Sequence, residues 1–118
     1  MIPVRFHPDL ASGPWFTYSL AFQLANVGSE VGRALKAKAK GCDFRENLAL
    51  ERALELLDLT IGDSRNTKQL SELCRLRECL CDFFVGENEW QSSRDLIDRY
   101  FLAFGYEAQM ERETTRQQ

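Results

Sequence analysis

Apolar residues along this chain recur at helical spacing, in four runs separated by polar or glycine-bearing breaks. Phe16, Leu20, Gln23, Leu24, Val27, Val31, Ala34 and Leu35 fall on one face of the first run. Leu50, Ala53, Leu54, Leu57 and Ile61 make the stripe of the second, and Leu70, Leu73, Leu76, Leu80 and Phe84 that of the third. Ile97, Tyr100, Phe101, Phe104 and Ala108 make the fourth. The ends carry their own signals. Pro14 suits a first helical turn capped by Ser12 or Gly13, and Asp43 with Glu46 has capping-box spacing. Asn66 or Thr67 opens the third helix, and Ser92 or Ser93 the fourth. Gly41, Gly62 and Gly86 stand where helices should stop, and Gly commonly takes a left-handed conformation there. The pattern predicts helices over 14–40, 43–61, 66–85 and from 92 onward. The fold expected is all-α: an antiparallel four-helix bundle over 14–111, preceded by an extended N-terminal arm (1–13) and followed by a frayed tail (112–118).

Composition agrees with helix. Leucine occurs 16 times against 7 for valine and isoleucine together, and all three prolines precede residue 15. At 118 residues the chain has length for one core. No apolar stretch approaches the roughly 18 residues of a membrane span, and MIPVRFHPDL lacks the layout of a signal peptide. A net charge of −3 argues against nonspecific binding to nucleic acid or acidic lipid and leaves room only for a local basic patch. Arg33, Lys36, Lys38 and Lys40 crowd the end of the first helix, where positive charge complements the helix dipole. They point in different directions around it, which reads as a solvated end. The four cysteines (Cys42, Cys74, Cys79, Cys81) show no C-x-x-C and read as reduced residues of a cytoplasmic protein.

Two features resist a simple bundle. On the first helix Ala21, Ala25, Gly28 and Gly32 form a ridge of small residues, flanked by Tyr18 and Phe22. A mid-helix Gly costs about 1 kcal/mol against Ala, so two of them ask for a packing reason. Leu102 and Tyr106 add a second apolar stripe on the fourth helix. A second stripe points to a second contact, and these eight residues are the expected interface of a homo-oligomer. The other feature is Arg77, one turn from Leu73, Leu80, Cys81 and Phe84. A buried arginine needs a carboxylate, and Glu30 and Asp58 are the candidate partners.

Chemistry is sparse. Di-metal bundles use Glu-x-x-His pairs, but the sole histidine, His7, stands in the arm. Glu51, Glu55 and Asp58 along one edge of the second helix therefore read as a solvated acidic face. No metal and no cofactor is expected. Helical RNases of the HEPN class place a histidine a few residues after an arginine, and Arg99 is followed by Tyr100 to Phe104 without one. Phosphate loops and nucleophile elbows are absent.

Three stretches, NVGSEV-x-RA (26–34), ERALELLDLTI (51–61) and LCRLRE-x-LCDFFVG (73–86), resemble a group of short bacterial proteins of unknown function. The resemblance implies a helical bacterial protein of the cytoplasm and carries no site residue. The function expected is a non-catalytic interaction module that self-associates, with an unidentified protein partner as a further possibility and no membrane. One alternative is a nucleic-acid-associated accessory or degenerate HEPN-like bundle using Arg75, Arg94 and Arg99. A third is a small-molecule-binding bundle using Arg77 with Glu30 or Asp58.

Overall fold

The leucine-rich, proline-free part of the chain folds into helices, as its spacing predicts. The computed structural model describes residues 4–117, which are all-helical with no strand among them. The helices are α1 (Pro8–Ala11), α2 (Leu20–Ala39), α3 (Asp43–Ile61), α4 (Leu70–Phe84) and α5 (Arg94–Gln117). Two 3-10 turns, Pro14–Thr17 and Ser64–Gln69, precede α2 and α4.

The boundaries show which local signals prevailed. The helix expected over 14–40 is broken, because Tyr18 is extended and Ser19 caps a fresh start by accepting the Phe22 N–H at 3.1 Å. α3 begins at Asp43 as its spacing predicts, but without the capping box. Cys42 is the cap residue, and the Glu46 carboxylate turns to Lys38 at 4.0 Å. Gly41 takes the left-handed conformation (φ 72°), whereas Gly62 (φ −75°) does not. After Gly62 the chain is extended at Asp63, which caps the second 3-10 turn by accepting the Arg65 N–H, and α4 is delayed to Leu70. Ser93 caps α5 by accepting the Leu96 N–H. The tail expected to fray is helical through Gln117, since a helix already nucleated and docked propagates without an apolar stripe of its own. The Ser19 hydroxyl donates to Glu111 at 2.7 Å and holds that end against the start of α2.

The arm is not simply extended. Residues 1–3 lie outside the described residues; α1 supplies one helical turn, and the backbone N–H groups of Arg5, Phe6 and His7 all donate to the Glu55 carboxylate. The His7 Nδ1 lies 3.0 Å from the same carboxylate. Burial pushes this carboxyl up, but the three backbone donors and the His7 ring outweigh it and hold it below the usual range. The acidic edge of α3 is thus consumed internally: Glu51 meets Arg5, Glu55 holds the arm, and Asp58 meets Arg77.

α2 is the central helix. Contacts Lys38–Glu46, Glu30–Arg52 and Gln23–Asp63 run in opposed register along α2 and the α3 segment, and Gly28–Phe101 and Ser19–Glu111 do the same for α2 and α5. Cys79–Ser92 and Glu72–Tyr100 oppose α4 and α5. The core gathers Trp15, Leu24, Val27, Val31, Ala34, Leu57, Leu73 and Leu80, with Ile97 and Phe101 closing it from α5.

Candidate functional site

Part of the α2 ridge of small residues is occupied within the chain. A Cβ on Gly28 would sit 2.7 Å from the Phe101 Cβ, so Gly28 is what lets α5 lie against α2. Ala21 is buried, while Tyr18 and Phe22 are half-buried and stack edge to face at 4.8 Å. Gly32, further along, has nothing within 4 Å of its would-be Cβ. At Ala21 and Gly28 the ridge is therefore covered within the chain, and α5 is what covers Gly28, while Phe22 and Ala25 are half-buried. Leu102 and Tyr106 lie elsewhere. They are 73% and 66% exposed on the outward face of α5, and Met110, one turn on, is 43% exposed.

Arg77 donates from Nε to Asp58 Oδ1 at 2.7 Å and from Nη2 to Oδ2 at 3.4 Å. Asp58 thereby raises its pKa, against the opposing effect of burial. The pair is not sealed in the core: the two side chains are 40% and 27% exposed. Glu30 is not its partner. The two Glu30 oxygens are held by Arg33 at 2.7 Å and Arg52 at 3.1 Å. Arg77 follows the stripe by sequence, but its length carries the guanidinium to the edge of the core, where Asp58 is waiting.

Sequence spacing missed the most ordered polar cluster. Trp15 is fully buried, and its indole N–H donates to Thr60 Oγ1 at 3.2 Å. The Gln23 amide donates to the Trp15 carbonyl at 2.9 Å and to Asp63 at 3.0 Å. Asn66 donates to Gln23 Oε1 and to the Thr60 carbonyl, both at 3.0 Å. Arg65 clamps Asp63 through Nε and Nη2, the latter at 2.6 Å, and reaches the Tyr18 carbonyl at 2.7 Å. The guanidinium beside Asp63 holds its carboxyl down at about 2, prevailing over its burial. The only advance signal was a glutamine inside an apolar stripe. Every polar side-chain atom sealed in the interior has a partner among the described residues, so the cluster is a closed knot and not an open active centre.

Between α4 and α5 lies an apolar groove of about 260 Å³, walled by Leu76, Leu80, Trp90, Leu96, Ile97 and Phe101. At its rim the Tyr100 hydroxyl donates to Glu72 at 3.1 Å, and burial followed by the Glu72 charge pushes that phenol up. Arg75 stands on the same rim, whereas Arg94 is paired with Asp98 at 3.7 Å. Among the described residues no three His, Cys, Asp or Glu side chains come together as metal ligands, and no helix is long and apolar enough to cross a membrane. The four cysteines are free thiols.

The chain matches no family model, no curated protein and no solved structure.

Proposed function

We propose that the protein is a non-catalytic helical interaction module, an antiparallel four-helix bundle that self-associates through the outward face of α5. The opposed helix registers support the bundle arrangement. The observation that carries the self-association is the exposed α5 stripe of Leu102, Tyr106 and Met110. Isolated exposed apolar residues are ordinary, but three on successive turns of one helix form a continuous strip.

The partner we assign to this strip is a second copy of the chain, because the sequence of the face is self-complementary. Arg99 and Glu113 stand seven positions before and after Tyr106, and Leu102 and Met110 stand four before and after it. All five are exposed. In an antiparallel pairing of two α5 helices about a two-fold axis at Tyr106, each Leu102 faces the partner's Met110. Each Arg99 likewise faces the partner's Glu113. Such isologous contacts are the commonest way for a soluble chain to close an assembly.

Light scattering at micromolar concentration tests the reading. Wild type is expected at twice the 13.6 kDa chain mass, and Tyr106→Glu at the mass of one chain with unchanged helicity. Arg99→Glu should weaken the dimer, and adding Glu113→Arg should restore it. A wild-type particle of 13.6 kDa overturns the proposal.

A further inference from the structure

The turn between α2 and α3 carries a second surface, independent of the α5 face. Arg33 and Lys36 on α2 and Lys40 at its C-cap follow at spacings of three and four, so they share one side of that helix. They line one wall of a cleft whose other wall holds Arg45 and Arg52, two turns apart on α3. Ala37, Leu48 and Ala49 contribute an apolar floor, and the space between the walls is about 380 Å³. Lys38 is excluded from it. Its ammonium turns to Glu46 and lies 5.6 Å from the centre of the Phe83 ring.

The cleft is unbalanced in charge. The carboxylate bound to its walls is Glu30, whose oxygens are both committed to Arg33 and Arg52. Lys36, Lys40 and Arg45 have no carboxylate within 4.0 Å among the described residues. Five cationic side chains therefore face one concave space against a single carboxylate, in a chain whose net charge is −3. Like charges gathered without counter-charge repel one another, and a concave wall focuses their field on whatever anion enters. Guanidinium groups suit phosphate in particular, since their fork donates two parallel hydrogen bonds.

We infer that this cleft binds a compact polyphosphate group, borne by a nucleotide or by an inorganic polyphosphate. A long polynucleotide fits worse. The cations are gathered in one space of about 380 Å³ in a chain of net charge −3, so a compact polyanion ends within the basic walls and a long one runs beyond them.

Calorimetric titration at low ionic strength decides it, using sodium triphosphate, adenosine triphosphate, a single-stranded DNA oligonucleotide and sodium chloride matched in ionic strength. Saturable one-to-one binding of triphosphate is expected, weakened at least about ten-fold in Lys36→Glu/Arg45→Glu, which corresponds to 1.4 kcal/mol or more. Lys68→Glu, on the exposed 3-10 turn before α4, should bind as wild type does. Tighter binding of adenosine triphosphate than of triphosphate assigns a nucleotide, and equal binding assigns the phosphate chain alone. Lys36→Gln/Arg45→Gln, which removes charge without adding any, should give the same loss if the glutamate variant fails to fold. No saturable binding, binding unaltered in the cleft variants, or tighter binding of the oligonucleotide than of triphosphate overturns the inference.

Discussion

The hairpin of α2 and α3 ends in two polar clusters of opposite character. At the end near Trp15, Gln23, Thr60, Asp63 and Asn66 are buried and satisfy one another, and Arg65 neutralises the one carboxylate. At the Gly41 end, five basic side chains line an open cleft and three of them have no acid beside them. Both clusters are anchored on the same two helices, with the 3-10 turns adding Trp15, Arg65 and Asn66 to the sealed one. Counter-charge and burial separate them: charge that is matched and sealed fixes a structure, and charge left unmatched on a concave surface is available to a ligand.

The largest effect should come from breaking the sealed end. Asp63→Ala removes the acceptor shared by Gln23 and Arg65, and a loss of about 3 kcal/mol is expected in urea melts, given the strength of hydrogen bonds to a buried charge. The same carboxylate gives that end an acid step. Its pKa in the fold, about 2, lies below its ordinary 3.8, so its contribution is complete above pH 3.8 and is lost as pH falls toward 2. That step should remove roughly 2 kcal/mol and should vanish in Asp63→Asn. A melt with no such step would place Asp63 in solvent and erase the contrast between the two ends.

A second experiment separates the middle of α2 from its basic end. Gly28→Ala pushes a methyl into Phe101 and should cost about 1–3 kcal/mol, as overpacking does. Gly32→Ala, one turn nearer the cleft, meets nothing and should be neutral or stabilising by up to about 1 kcal/mol. Equal effects at the two glycines would mean that α5 does not lie on α2 as described.

The smallest loss is expected at Arg77. Its pairing with Asp58 resembles that of Arg65 with Asp63 but is open to water, so Arg77→Ala should cost about 1 kcal/mol, as exposed pairs do. A loss of about 3–5 kcal/mol in the same urea melts would mean that the pair is sealed after all.

Much of the fold was legible because helix periodicity is a local property. The stripes on α2 and α5 name most of the residues buried on those two helices, and α3 begins and ends where its spacing says. Less local features went astray. The break at Ser19 needed the hydroxyl to take the Phe22 N–H, and the continuation of α5 needed its docking on α2. Trp15 carried no periodic signal, since it lies on a 3-10 turn outside the stripes.

By itself the sequence determined that the chain is helical, where its long helices run and which faces are apolar, because hydrogen bonds within a helix join residues close in the chain. Only the tertiary structure decided which of those faces stay free. Gly28 on α2 had the look of an outer surface until Phe101 was laid on it. Asp58 and Glu30 were equal partners for Arg77 until the fold gave Glu30 to Arg33 and Arg52. The lysines ending α2 pointed in several directions, and three residues of that helix became a wall only when Arg45 and Arg52 arrived from α3. Electrostatics and packing act through space, between residues far apart in the chain, and helical periodicity records only the direction in which each side chain leaves its own helix.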